Sequence, residues 1–256
     1  MLVLSPYLLT QLAVATFFYY SLLSLPVSSF LSSLNGVPTV IVATLFTVVF
    51  FTFDDFTKYW VHRWMHKWPI LWALHKVHHS AETLNPITVY RTHPLEGILF
   101  SLRGAFSQGI VISMFFFIFG DKVDLVTILG VNFLVFSFHV AGSNLRHSHI
   151  DIKYWVWLEK ILISPAQHQL HHSLDERHYD KNFGVAFAFW DWMFGSLHHS
   201  EENDTLKLGL SEKDENSIHS LKSLYLGPIY EIFQIFKNYI KHIYKINNYI
   251  KTIFLR

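Results

Sequence analysis

The residues of this chain most suited to chemistry are histidines, and they occur in three short clusters. The 256 residues include 17 His and no Cys. The clusters read HRWMH, HKVHH and HQLHH, so their histidines stand three or four residues apart. On a helix such residues share one face, and each cluster therefore predicts a helix face covered with imidazoles. The eight histidines are His62, His66, His75, His78, His79, His168, His171 and His172.

Eight clustered imidazoles predict a metal centre. Imidazole binds iron, zinc, copper and nickel, whereas the absence of cysteine excludes thiolate ligation and disulfides. Four ligands satisfy a structural zinc, so eight indicate two ions. Neutral ligands leave the full positive charge on the ions, which suits oxygen activation and favours two iron ions. The spacing alone leaves a pair of zinc ions open, whereas haem would leave six histidines unexplained.

The composition indicates that lipid is part of the solvent. Hydrophobic residues make up 51% of the chain and charged residues 15%, against about 25% in an average soluble domain. The net charge of +1 gives no reason to expect nucleic acid as a partner. Membrane helices are expected at 8–30, 37–53, about 104–119 and 123–140. The first stretch lacks the basic segment that begins a signal peptide, and the short polar connection after 119 predicts an antiparallel hairpin.

The expected fold is all-α: an integral membrane helical bundle of about four transmembrane helices, capped by a cytoplasmic helical His-rich domain. Residues 1–53 would form two N-terminal transmembrane helices. Residues 54–200 would form the metal domain with its hairpin at about 104–140, and 201–256 a polar loop and an amphipathic tail. Basic residues are absent before 54 and frequent around the clusters, which predicts a multi-pass protein with its site on the cytoplasmic face. The tail helix could lie on anionic lipid or pack on the domain.

The clusters and their flanks resemble the fatty acid hydroxylase and sterol desaturase superfamily of membrane-bound histidine-box di-iron enzymes. HKVHH begins only nine residues after HRWMH ends, and HQLHH follows about ninety residues later. THPLE at 92–96, LEKILISPAQHQLHH at 158–172 and the run from DKNFG to WDWMFG at 180–195 look like the same family. The match covers roughly 54–197. Its later part is most similar to the alkylglycerol mono-oxygenase branch.

The resemblance implies that the eight box histidines bind iron, and that the segment FSFHVAGSNLRHSH adds one or two ligands. We expect these from His139 and His147, with His149 competing for the same role. Further residues that could bind metal or support the site are His93, His149, His178, Asp180, Asn182 and Asp191. For His93, which precedes a proline, a capping role is equally plausible. Ligating histidines usually donate their second N–H to a carboxylate or carbonyl. The candidate carboxylates are Asp54, Asp55, Glu96, Glu159, Asp180 and Asp191.

The function implied is that of a mono-oxygenase that hydroxylates or desaturates a lipid C–H bond with O2. The sequence shows no dinucleotide fingerprint, so we expect an external electron donor: a cytochrome b5-like protein, a ferredoxin or a reduced pterin. One alternative is a membrane zinc-dependent hydrolase, which would need a glutamate base like that of HExxH; HRWMH and HKVHH have none. Another is a non-enzymatic metal-binding or transport protein, which would place histidines or carboxylates inside the membrane spans.

Overall fold

The computed structural model describes residues 6–25, 34, 36–200, 206–211, 214 and 220–254. Over these residues the chain forms helices and no strand, with one isolated bridge between Ser173 and Leu208. The expected all-α fold is thus confirmed. The helices are α1 Pro6–Leu22, α2 Thr39–Lys67, α3 Pro69–His79, α4 Pro94–Phe119, α5 Leu125–Arg146, α6 Pro165–His171, α7 Phe189–Met193 and α8 Leu221–Phe254. Short 3-10 turns lie at Pro86–Tyr90, Gly120–Lys122, Leu158–Lys160 and Glu176–His178.

In the described part of the chain, three helices are long and apolar enough to cross a membrane: Thr39–Lys67, Pro94–Phe119 and, within α5, Thr127–Arg146. Helix α1 has 17 residues, fewer than the roughly 20 that span a bilayer core. It packs along α4 at small residues, since a Cβ added at Gly109 would lie 2.8 Å from the Val14 side chain. Residues 26–30, the end of the first expected span, lie outside the described residues.

Two helices extend beyond the apolar stretches that predicted them. Helix α2 runs without a break through position 53, where the apolar run ends, and carries the first histidine cluster on its last turns. Helix α4 begins at Pro94, ten residues before the expected span, because a proline in the first turn and a side-chain cap from His93 start the helix there. The cap Gly120 ends α4 with φ +57° and begins the turn that precedes α5.

The apolar core lies where α2, α4 and α5 meet. Phe46 of α2 is fully buried, and its ring centroid lies 5.3 Å from that of Phe115 in α4. The buried cluster consists of Val42, Phe46, Phe50, Val111, Phe115, Val123, Val131 and Val135. Because α2 continues past this core, packing of the bundle also fixes where its histidine-bearing end stands.

Helix α8 packs on the domain at its beginning and is exposed further on. Lys76 of α3 forms ion pairs with Glu231 at 2.5 Å and with Asp214 at 3.1 Å. Beyond this contact, side chains such as Phe233 and Ile240 are more than 60% exposed. Of the two expected arrangements, packing on the domain describes the first turns of α8. The rest of the helix exposes apolar side chains, as a helix that lies on lipid would. Most of the expected polar loop 201–220 lies outside the described residues.

Candidate metal centre

Among the described side chains, nine histidines converge into two adjacent groups. Within each group, one potential ligand nitrogen per residue lies within 4.8 Å of all the others. The first group is His62, His66, His75, His79 and His171, and the second is His78, His147, His168 and His172. The rings of the two groups are in contact, since the centroids of His79 and His172 are 4.3 Å apart. The result is one cage with two centres, built from all three clusters and from His147.

Local sequence explains why the cluster-bearing helices face one another. Helix α2 ends at Lys67 and α3 begins at Pro69, so the chain turns at the single residue Trp68, which caps both helices. The third cluster lies on the seven-residue helix α6, where Ser164 forms a capping box with Gln167. Ser164 Oγ accepts from the Gln167 amide at 3.1 Å, and the Gln167 side chain accepts from the Ser164 amide at 2.9 Å. These caps hold a helix too short to be stable alone.

Two cage histidines are oriented by backbone carbonyls of the DKNFG segment. His62 Nδ1–H donates to the Phe183 carbonyl at 2.8 Å, and His171 Nδ1–H donates to the Lys181 carbonyl at 2.7 Å. The donation leaves Nε2 of each ring as the nitrogen available for a metal. Carbonyls and carboxylates are the usual outer partners of metal-ligating histidines. Local backbone geometry therefore positions these two rings.

A carboxylate orients a third ring. His75 Nδ1–H donates to Glu96 Oε1 at 2.8 Å, and both side chains are about 97% buried. Glu96 was one of six candidate carboxylates, and it is placed by the first turn of α4. Asp55 instead accepts from the amides of Ala186 and Phe187, so it holds a loop.

Seven of the nine grouped histidines have a buried ring nitrogen without a hydrogen-bond partner. These buried atoms are Nε2 of His66, His75, His79 and His171, Nδ1 of His78 and His168, and both ring nitrogens of His172. A buried polar atom without a partner costs about 1–3 kcal/mol, so eight of them clustered together would be strongly unfavourable in a purely structural core. Metal coordination would satisfy one nitrogen of each of these rings. The donor set therefore fits two imidazole-bound ions.

Burial favours the neutral form, which a metal requires, in four of the cage rings: His79, His147, His171 and His172. Burial, opposed for His171 by the bond to Lys181, lowers the pKa of His147 and His171 to about 3. Burial and then neighbouring imidazoles lower the pKa of His79 and His172 well below 6.5. A neutral imidazole can bind a metal without first losing a proton.

His147 occupies a place in the second group, whereas His149 does not. Thr88 Oγ1 lies 3.1 Å from His147 Nδ1, and His147 Nε2 faces His168 Nε2 at 2.9 Å. His149 is exposed and lies outside both groups. The side chain of His139 lies outside the described part of the structure, so its expected role as a ligand stays a prediction.

Two other candidate histidines have positions away from the ligand groups. His93 caps α4: Nδ1 accepts from the Leu95 amide at 3.2 Å, and Nε2–H donates to the Tyr225 carbonyl at 3.0 Å. Both of its ring nitrogens are therefore used. His178 is buried with its ring centroid 5.1 Å from that of His198, and it is not part of either group.

The polar side chains of the DKNFG segment shape its backbone. Asp180 and Asn182 adopt positive φ angles of 61° and 56°. The Asn182 side chain donates to the Gln167 carbonyl at 3.1 Å and accepts from the His198 amide at 2.8 Å. Asp180 forms an ion pair with Lys67 at 2.6 Å. These contacts turn the chain so that the intervening carbonyls reach the cage.

Asp191 supports the same segment from behind. Its carboxylate accepts from the amides of Phe183 and Gly184 at 2.8 and 2.7 Å and from the Ser196 hydroxyl at 2.6 Å. Burial raises its pKa to about 6 despite these hydrogen bonds. Asp191 thus acts on His62 through the backbone of Phe183.

The sequence analysis missed Thr88, Lys76 and the two carbonyl acceptors. Lys76 lies between ligand positions of the second cluster and ties α3 to α8 through two carboxylates. The available signal in the sequence was a lysine between two expected ligands. The structure shows that this lysine is only 3% exposed. Carbonyl acceptors carry no signal in sequence, because every residue has one.

Cavities reach the cage from two sides. One of about 410 Å³ meets both groups, and its lining is His62, His75, His78, His147, His168, Lys58, Val89, Thr92, Glu96, Gly97, Phe100, Arg146, Gly184 and Val185. We call it the cage cavity. Another of about 240 Å³ meets His66, His79 and His171 beside Trp72 and Asp214. The two cavities share no lining residue and so reach the cage separately.

Comparison with known proteins decides the family. The model of the fatty acid hydroxylase family matches residues 47–196, which is more than half of the chain. The chain belongs to the fatty acid hydroxylase family. The matched region contains all nine grouped histidines and the DKNFG segment. The expected superfamily is confirmed, and with its three apolar helices this family member is a membrane protein.

Similar curated proteins are lipid oxidoreductases by name. A Delta(7)-sterol 5(6)-desaturase of Gibberella zeae is 26% identical over 69% of this chain and 52% of its own length. An alkylglycerol monooxygenase of Danio rerio is 32% identical over 70% of this chain and 36% of its own. A lathosterol oxidase of Mus musculus is 25% identical over 66% of this chain and 52% of its own length. The chain thus spans between about a third and a half of these relatives. No solved structure gives a significant match.

Proposed function

We propose that this protein is a membrane-bound di-iron mono-oxygenase that hydroxylates or desaturates a C–H bond of a lipid, using O2 and an external electron donor. The observation that carries the proposal is the cage: nine imidazoles in two groups, seven of which have a buried ring nitrogen without a hydrogen-bond partner. The similarity to desaturases, an oxidase and a monooxygenase supports an oxidoreductase over the zinc hydrolase or the metal carrier.

The ligand sets proposed for the two ions are the two histidine groups. Iron held there would supply the activation of O2 for attack on an unactivated C–H bond. The chain's own residues orient the ligand rings: Glu96 and the carbonyls of Lys181 and Phe183 fix which nitrogen faces inward. Burial of most of the cage rings confines access to the two cavities, which limits side reactions with water.

The proposed substrate is a lipid. The cage cavity adjoins α4, a candidate membrane span, and apolar side chains such as Phe100 and Val89 line it together with the imidazoles. Its volume of about 410 Å³ lies in the range of small-molecule sites, which suits one section of a lipid rather than a macromolecule. The basic residues around the clusters support a site on the cytoplasmic face of a multi-pass protein.

Metal analysis together with lipid profiling tests the proposal. Protein purified anaerobically should contain iron, and cells expressing it should accumulate an oxidised lipid that is absent from cells without the gene. Zinc in place of iron, with an unchanged lipid pool, would contradict the proposal.

A matched pair of histidines sharpens the test. His147→Ala removes a proposed ligand, and His149→Ala changes an exposed imidazole two residues away. The first variant should lose iron and activity, and the second should keep both. Equal behaviour of the two would count against the assignment of the second group.

The electron donor is proposed to be a separate cytochrome b5-like protein, a ferredoxin or a reduced pterin. The route on the far side of the cage, beside Trp72, leads to His66, His79 and His171 without crossing the cage cavity. Oxygen consumption by the purified enzyme with each donor in turn distinguishes them. Turnover without any added donor would contradict this part of the proposal.

A further inference from the structure

Gly97 of α4 lies where two cavities adjoin. It lines the cage cavity and also a groove of about 470 Å³ between α1 and α4. Tyr7 and Thr10 line the groove on the α1 side, and Ile98 and Leu102 line it on the α4 side. Ile98 and Leu102 are at least 50% exposed, and they lie on a candidate membrane span, so the groove faces the bilayer region.

Helix geometry explains why this one residue borders both spaces. Successive residues of an α-helix are rotated by about 100°. Glu96 and Phe100 point into the cage cavity and share one face of α4, whereas Ile98 and Leu102 lie on the groove side. Gly97 falls between the two faces. Any side chain at this position would project into the boundary between the spaces.

The same face of α4 is closed two turns further along. Gly104 is seven residues after Gly97, and a Cβ added there would lie 3.5 Å from the Tyr7 ring of α1. A Cβ added at Gly97 would have no described atom within 4 Å. Helix α1 therefore packs against α4 at Gly104 and leaves it open at Gly97.

We propose that Gly97 is the opening through which a lipid chain passes from the bilayer groove into the cage cavity, and that its missing side chain sets the width of that passage. The inference rests on the proposed function, since it gives the lipid substrate its route and makes Gly97 a determinant of specificity. A bulky residue at 97 should exclude lipid chains without disturbing the metal ligands.

Substitution at Gly97 tests this with little risk to the fold. Gly97→Ala and Gly97→Leu place better helix formers in a helix, which favours stability by up to about 1 kcal/mol. Gly97→Leu should block entry of the lipid chain or, where a chain still enters, displace it by about an ångström, so lipid oxidation should fall about a hundredfold or more while iron content stays unchanged. Gly97→Ala should have a smaller effect. Gly130→Leu is the matched control, because Gly130 of α5 is equally uncrowded and lines neither space.

A labelling experiment reads out the passage without catalysis. The chain has no cysteine, so Gly97→Cys and Gly130→Cys each carry one thiol. Labelling by N-ethylmaleimide is followed with and without 1-O-hexadecylglycerol, and separately with cholesterol. At ten times its Kd, either lipid should slow labelling of the thiol at 97 about tenfold, leaving that at 130 unaffected.

The outcomes separate the two proposals. If neither lipid protects the thiol at 97, or if Gly97→Leu oxidises lipid as the wild type does, the passage is refuted while the di-iron function stands. If the wild type binds no iron yet the thiol at 97 is selectively protected, the di-iron function fails and the lipid passage is retained.

Discussion

Replacing Glu96 with alanine should weaken iron binding at the five-histidine group. The carboxylate accepts from His75 Nδ1 at 2.8 Å, and both side chains are about 97% buried. Without this acceptor the imidazole N–H is left unsatisfied, which costs about 1–3 kcal/mol. Loss of an outer partner of a metal-binding histidine typically lowers metal affinity 10–100-fold, or about 1.4–2.7 kcal/mol. The two ranges agree, so we expect a loss of one to two orders of magnitude.

Glu96→Gln separates charge from geometry. The amide oxygen can still accept from His75, but the bond is no longer charge-assisted, so iron affinity should fall between those of the wild type and the alanine variant. Affinity is measured by anaerobic ferrous titration against a competing chelator. Loss should be confined to one of two binding steps, because His75 belongs to one group.

Glu159→Gln is the matched control. Glu159 is equally buried, but its carboxylate accepts from Ser164 and Ser200 and contacts His199, which is in neither group. This variant should lose stability and keep both binding steps. Unchanged affinity in Glu96→Ala, or an equal loss in Glu159→Gln, would refute the assigned role of Glu96.

Three further predictions concern the surroundings of the cage. Asp191→Asn removes an acceptor from the backbone that holds Phe183, so the free energy of unfolding in denaturant should fall by about 1–3 kcal/mol; an unchanged value would contradict this. Iron-free protein should lose stability as pH falls from 6.5, because folded His147 and His171, with pKa values of about 3, bind fewer protons than the unfolded chain. The raised pKa of Asp191 has the opposite effect on stability between pH 3.8 and about 6, but it is one group against several histidines. A free energy of unfolding that stays constant from pH 7 to pH 5 would contradict the predicted net loss. Lys76→Ala leaves two carboxylates without their lysine, so hydrogen exchange should quicken in the first turns of α8; unchanged protection there would show that the ion pairs do not hold it.

Much of the architecture follows from local sequence. Apolar runs predicted the three described helices that are long and apolar enough to cross a membrane, and a fourth run gave the shorter α1. Spacings of three and four residues predicted the histidine faces, because a helix repeats every 3.6 residues. Boundaries were less predictable. The start of α4 depends on a cap and a proline outside the apolar run, and α2 stays helical through the charged residues that follow its span.

The sequence by itself predicted a metal centre with imidazole ligands and their approximate number, since these predictions depend only on residue identity and helical period. Tertiary structure alone decided that five rings gather at one centre and four at the other, and that His147 rather than His149 joins them. It also decided which acceptors orient the cage rings: Glu96 among six candidate carboxylates, and the carbonyls of Lys181 and Phe183. The physical reason is that such contacts join residues distant in the chain, whose meeting depends on how helices cross and on a loop held at positive φ.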